Sequence, residues 1–160
     1  MSNKNNVTIR GLSEVEELFD RTNKNVHKRG KKLLHELGWF AKRTAQTKIT
    51  EVGAVDLDEL RSGIHFRTKA KNKSIETVVK PSEKADEYAI FVEEGTKPHW
   101  APRDALQGWA DRHGIPVFLV QRKIAQDGTE PRYFWRDTIE KVEPEADKRI
   151  SKFVNELFRE

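Results

Sequence analysis

The sequence predicts an α+β fold: a long N-terminal helix packed on a small, mainly antiparallel sheet of three or four strands, with short helices in an insertion and a C-terminal helix. Three patterns predict it. From residue 13 to 49 apolar side chains recur every three or four positions, the period of one helix face. From 64 to 92 short apolar or alternating stretches are bounded by turn residues, as strands are. From 139 to 157 the helical period returns.

Val7-Thr8-Ile9 alternates weakly and suits a short strand, after residues 1–6, which are expected to be disordered. Ser13-Glu14-Val15-Glu16 is a capping box, a hydroxyl at the cap and a carboxylate three residues on, and announces the long helix. Its stripe runs through Val15, Leu18, Val26, Leu33, Leu34, Leu37, Ala41 and Ala45 towards Ile49. Gly30 and Gly38 each weaken it by roughly 1 kcal/mol relative to alanine, which allows a kink. Residues 51–56 form a loop. Ile64 and Phe66 alternate with His65 and Arg67, Lys71-Asn72-Lys73 turns the chain, and Ile75, Thr77 and Val79 alternate on the return to Pro81. Residues 88–92, Tyr-Ala-Ile-Phe-Val, are apolar on both faces and predict a central strand.

Beyond it, Gly95-Thr96-Lys97-Pro98 and Gly128-Thr129-Glu130-Pro131 bracket a segment, 97–127, that carries its own helical patterns. Pro102 opens one helix with Leu106, Trp109 and Ala110 on a face, closed by Gly114. Val117, Val120 and Ile124 fit a second, with a strand as the alternative for 117–120. Ile139, Val142, Ala146, Ile150, Phe153, Val154 and Leu157 then form the C-terminal stripe, which Pro144 should start or kink. No Gly-, Ser- or Pro-rich linker divides the 160 residues, so a single domain spanning 1–160 is expected.

Hydrophobic residues make up 36% and charged residues 35%, so much of the chain must be solvent-facing or partner-facing. The charge is uneven. Residues 21–80 hold 15 Lys and Arg against 6 Asp and Glu, whereas 81–160 hold 13 against 16. The basic run Lys24, Lys28, Arg29, Lys31, Lys32, Lys42 and Arg43, with Trp39 and Phe40 beside it, could face nucleic acid, the cations on phosphates and the rings on bases. The plainer alternative is a solvated helix face with Phe40 turned inward. No apolar run approaches the ~20 residues that span a bilayer, and no secretory signal pattern opens the chain, so a protein made in the cytoplasm without membrane contact is expected.

Chemistry is sparse. There is no cysteine, and His27, His35, His65, His99 and His113 lack the spacing of a zinc site. No Gly-x-Ser-x-Gly elbow occurs. Gly95-Thr96-Lys97 is not a phosphate loop, because Pro98 follows at once. No enzyme activity, metal or cofactor is expected. What stands out is aromatic: Trp100, Trp109, Tyr133, Phe134 and Trp135 fall in one third of the chain. Such rings serve as core filler or interface anchors, and three in a row, 133–135, are hard to bury from one segment.

The order of features resembles a family, the small tail-component proteins of long-tailed double-stranded DNA phages, called minor tail, neck, head–tail joining or tail-completion proteins. Three blocks carry the resemblance. Asp56-Leu57-Asp58-Glu59-Leu60-Arg61-Ser62-Gly63-Ile64 is similar to the family's first strand block, with Asp58 at a usual glycine and Gly63 at a usual serine. Aspartate takes positive φ less freely than glycine. Tyr88-Ala89-Ile90-Phe91-Val92-Glu93-Glu94-Gly95-Thr96 is similar to the second block, with Glu94 at a commonly apolar position. Gly128-Thr129-Glu130-Pro131-Arg132-Tyr133-Phe134 is similar to the third, with Tyr133 inserted, and 97–127 looks like an insertion.

The resemblance implies a non-enzymatic virion subunit of the neck or tail-completion step, assembling as a hexameric ring. Its implied partners are copies of itself, head–tail connector and tail-tube proteins, and transiently genomic DNA. On this expectation Glu93, Glu94, Gly95, Thr96, Lys97, Pro98, His99, Trp100, Tyr133, Phe134 and Trp135 form the assembly surface. The rival expectation is a basic DNA-binding accessory protein.

Overall fold

A 28-residue helix, α1 (Lys24–Glu51), is the spine against which the sheet and the C-terminal helix pack. The computed structural model describes residues 7–10, 24–54, 58–71 and 74–159. The capping box at 13–16, residues 1–6 and the turn at 72–73 lie outside them. One face of α1 is buried through Val26, Leu34, Leu37, Ala41, Ala45 and Ile49. No break interrupts the helix at Gly30 or Gly38. Gly38 is instead a point of close approach. A Cβ there would lie 2.4 Å from Phe66 Cδ2 and 2.7 Å from Thr77 Cγ2, so glycine lets the sheet lie directly on the helix.

That sheet has three antiparallel strands in the order β1-β3-β2, with β1 Val7–Arg10, β2 His65–Lys71 and β3 Ser74–Lys80. The β2–β3 hairpin is its body and β1 adds a short strand on the far side of β3. Ile75, Thr77 and Val79 point inward as the alternation predicts. Thr77 is fully buried and donates from Oγ1 to the Leu34 carbonyl of α1, 3.0 Å away. Its one proton is then committed, so Thr68 donates in the 2.8 Å contact between the two hydroxyls.

Residues 59–63, expected to enter the first strand, instead form one helical turn, α2 (Glu59–Gly63). Asp58 does take positive φ, at 61°. Its carboxylate accepts from Arg61 Nε at 2.5 Å and its carbonyl accepts from both Ser62 N and Ser62 Oγ. These bonds hold aspartate where glycine would sit freely.

The predicted central strand at 88–92 is a helix, α3 (Glu83–Glu94). Ser82 caps it, Oγ accepting from Ala85 N, and Glu83 and Asp86 occupy the first turn. Ala85, Ala89 and Glu93, four residues apart, are its buried line. A five-residue apolar run does not distinguish strand from helix by period alone, and here the cap decides.

The 97–127 segment contains α4 (Arg103–His113) and α5 (Val117–Asp127), so 117–120 is helical. Gly114, at φ 65°, ends α4 as expected. The two helices pack chiefly on each other and form an arm. The last helix, α6 (Phe134–Leu157), begins ten residues before Pro144 and carries that proline inside it. It runs along α1 and contributes Phe134, Trp135, Val142, Ala146 and Phe153 to the core.

Candidate assembly site

The two Gly-Thr-x-Pro stretches meet. Thr96 N donates to Thr129 O at 3.0 Å and Thr129 N donates to Thr96 O at 3.1 Å, an antiparallel bridge of one residue from each stretch. Their hydroxyls lie 3.1 Å apart. Gly95 (φ 67°, ψ −170°) and Gly128 (φ 75°, ψ −155°) flank the bridge in conformations that only glycine adopts without strain. A Cβ on Gly95 would lie 2.2 Å from Thr129 O, and one on Gly128 2.0 Å from Thr96 O. The motifs are therefore two halves of a clasp that closes the arm at its base.

Glu93 sits just inside the clasp. It is 8% exposed, and its two oxygens accept from Trp135 N at 2.7 Å and Arg136 N at 3.0 Å. Those are orphan donors of the first turn of α6, so Glu93 acts as a cap from 42 residues away. The backbone adds Arg132 N to Val92 O and Tyr133 N to Glu93 O, and Arg132 Nη1 reaches Val52 O at 2.8 Å. The arm base is thus tied to α3, to α6 and to the end of α1.

This corrects three of the expected surface residues. Phe134 and Trp135 are 0% and 1% exposed, and belong to the core rather than to a partner. Glu93 is spent on the α6 cap. Burying the pair is feasible because Tyr133, at φ 50°, turns the chain so that its own ring stays outside under the Arg136 guanidinium, 4.0 Å from its centroid. Glu94, Lys97, Pro98, His99 and Trp100 are exposed, with Gly95 and Thr96 half-buried in the clasp. The His99 ring is held against Lys97 O at 2.8 Å.

Trp100 is 58% exposed and packs its ring beside Phe118, also 56% exposed, with centroids 6.2 Å apart. Leu119 and Ile115 are exposed nearby in the chain. The inner side of the arm is fixed by Gln121 Nε2 donating to Ala101 O and by His99 N donating to Ile124 O. The result is an apolar knob on a braced support. Sequence reasoning missed Phe118 and Leu119. The signal was present: once Val117, Val120 and Ile124 define the inner face of a helix, positions 118 and 119 fall outside it.

Between the arm and the body lies a half-open cleft of about 1260 Å³. Leu60, Tyr88 and Phe91 line it from the body, and Leu106, Trp109 and Val120 from the arm. Burial pushes the Tyr88 phenol above its ordinary pKa and the Glu59 carboxylate adds to the shift. Asp58, at the rim, is held below the usual carboxylate range by its hydrogen bond from Arg61. His99 and His113 both line the cleft, and Nδ1 of each is engaged with a backbone carbonyl, that of Lys97 and of Trp109 respectively. Among the described residues no group of three or more His, Asp or Glu side chains could hold a metal ion.

The basic residues divide. Lys28, Lys31, Lys32 and Arg43 are exposed on α1, while Lys42 lies over the ring of Trp39 at 5.5 Å. Arg29 is tied to α6 through Glu156 at 3.3 Å and covers the Phe153 ring. The Lys24 side chain lies outside those described. Phe40 is half-buried against the core under Arg149, whereas Trp39 is 50% exposed.

Comparison of the chain with protein-family models, with characterised proteins and with solved structures returns no match. Among the described residues no helix is long and apolar enough to cross a membrane.

Proposed function

We propose that this chain is a structural subunit of a phage neck or tail-completion assembly, building a ring, hexameric by resemblance, between head connector and tail tube. The observation that carries the proposal is the exposed Trp100–Phe118 pair on an arm braced by the clasp, with Leu119 and Ile115 also exposed close by in the chain. Two large exposed rings packed side by side on a rigid support favour a docking surface over solvent-facing structure. Fully burying a ring of this size releases about 1.5–3 kcal/mol, so two rings and two aliphatic side chains suffice to anchor a contact. The resemblance of 88–96 and 128–134 to the tail-component blocks supports the same reading, and the clasp gives those blocks a common purpose in bracing the arm.

On this reading the partners are other copies of the chain and the connector and tail-tube proteins, and the site of action is the virion. The test is Trp100→Ala with Phe118→Ala, measured by light scattering of the full chain alone and with connector protein. The variant should melt like the parent and fail to form the particle that the parent forms. A variant that assembles as the parent does contradicts the proposal.

A further inference from the structure

Two exposed helical stripes match each other in charge and in apolar content. On α1, Lys28, Lys32, His35, Trp39 and Lys42 fall at helical spacing on one side. On α3, Glu83, Glu87, Phe91 and Glu94 do the same. At 1.5 Å per residue the basic stripe is about 21 Å long and the acidic one about 16 Å. Each carries one large ring left open to solvent towards its C-terminal end, Trp39 at 50% and Phe91 at 55% exposure. Lys28, Glu83 and Glu87 have no ion-pair partner among the described residues, and Lys32 only a 4.0 Å contact with Glu36. Lys84, the cation next to the acidic stripe, is already paired with Glu59 at 2.5 Å.

We infer that the α1 stripe of one copy docks on the α3 stripe of the next, with Trp39 seated against Phe91 at the mouth of the apolar cleft. This rests on the ring-forming reading above and names the surfaces by which neighbouring copies meet. Lys28 on one stripe and Glu83 and Glu87 on the other lack ion-pair partners among the described residues, and on the ring reading they are satisfied by different neighbours rather than exchanged within a two-fold pair. Such a head-to-tail contact propagates until it closes into a ring. Opposite charge sets register and speeds encounter, and the rings and the cleft beside Phe91 supply the dry centre. A second copy is favoured over nucleic acid as the occupant because the chain itself carries a stripe of opposite sign, similar length and one exposed ring.

The test uses charge reversal in the full chain. One variant carries Lys28→Glu and Lys32→Glu, and the other Glu83→Lys and Glu87→Lys. Each alone should weaken self-association by at least about 100-fold, because like charges then face each other. Both pairs in one chain should restore it, as should a 1:1 mixture of the two variants, which can close only into even-numbered alternating rings. Phe91→Ala and Trp39→Ala, which leave the charges intact, should each weaken association about 10-fold or more if the rings meet. Reversed variants that assemble as the parent does overturn the inference and leave the ring reading standing. A parent chain that forms no oligomer, alone or with connector, overturns the ring reading itself. Loss of duplex DNA binding on reversing Lys28 and Lys32, with oligomerisation unchanged, overturns the inference and assigns the stripe to nucleic acid.

Discussion

Gly95→Ala tests whether the clasp holds the arm. The new Cβ would sit 2.2 Å from Thr129 O, 2.8 Å from Pro131 N and 3.0 Å from Glu130 C. All three are backbone atoms, so no side chain can swing aside. If the bridge opens to relieve the contact, the bonds of 3.0 and 3.1 Å between Thr96 and Thr129 are lost, at about 1 kcal/mol each. Holding alanine near φ 67°, ψ −170° adds about 1–3 kcal/mol. The sum is a loss of about 3–5 kcal/mol, which for a chain of this size lowers Tm by about 10 °C or more. Urea unfolding followed by far-UV circular dichroism should show the midpoint falling with the slope unchanged. Gly128→Ala should cost a similar amount, and the double variant much less than the sum of the two, because both break one bridge. Gly108→Ala is the control: it lies in α4 with only the Arg112 guanidinium nearby, and should raise stability by about 0.5–1 kcal/mol. A Gly95→Ala change within about 0.5 kcal/mol of the parent would refute the clasp, since surface substitutions without a mechanism fall in that range.

Other perturbations reach different parts of the fold. Glu93→Ala removes the acceptor for Trp135 N and Arg136 N and should cost about 2–4 kcal/mol in urea titration, with Glu93→Gln losing less. Gly38→Ala sets helix propensity, about 1 kcal/mol in its favour, against the contact with Phe66 and Thr77; a net loss of about 1–2 kcal/mol is expected by thermal melt. The Asp58 carboxyl is held below its ordinary pKa by Arg61, so its contribution is full above the unfolded value of about 3.9 and disappears as pH falls through the lower folded value. Arg61→Gln should therefore flatten the acid limb of a stability–pH curve and leave the shape of the neutral region unchanged.

The stripe of α1 was legible because a 28-residue helix repeats its signal many times: Leu34, Leu37, Ala41, Ala45 and Ile49 are all core. The β3 alternation was legible for the same reason, since Ile75, Thr77 and Val79 leave only one register facing α1. Residues 88–92 were misread because their β-forming side chains outweighed a capping signal six residues upstream, at Ser82. Phe134 and Trp135 were misread because nothing local announces that Glu93, 42 residues earlier, will cap their helix and turn them inward. The Gly-Thr-x-Pro pair was visible as two turns, but a pairing between residues 33 apart has no periodicity to reveal it. The cleft is lined by both residues of that bridge, Thr96 and Thr129, so it too emerged only in three dimensions.

The central claim is that the Trp100–Phe118 knob is covered by another chain in the assembled particle. Side-chain oxidative footprinting of the free chain and of the particle tests this most directly. The account predicts that Trp100 and Phe118, open in the free chain, become strongly protected on assembly, while the buried Phe134 and Trp135 are unreactive in both states. A particle in which Trp100 and Phe118 are labelled as fast as in the free chain would contradict it.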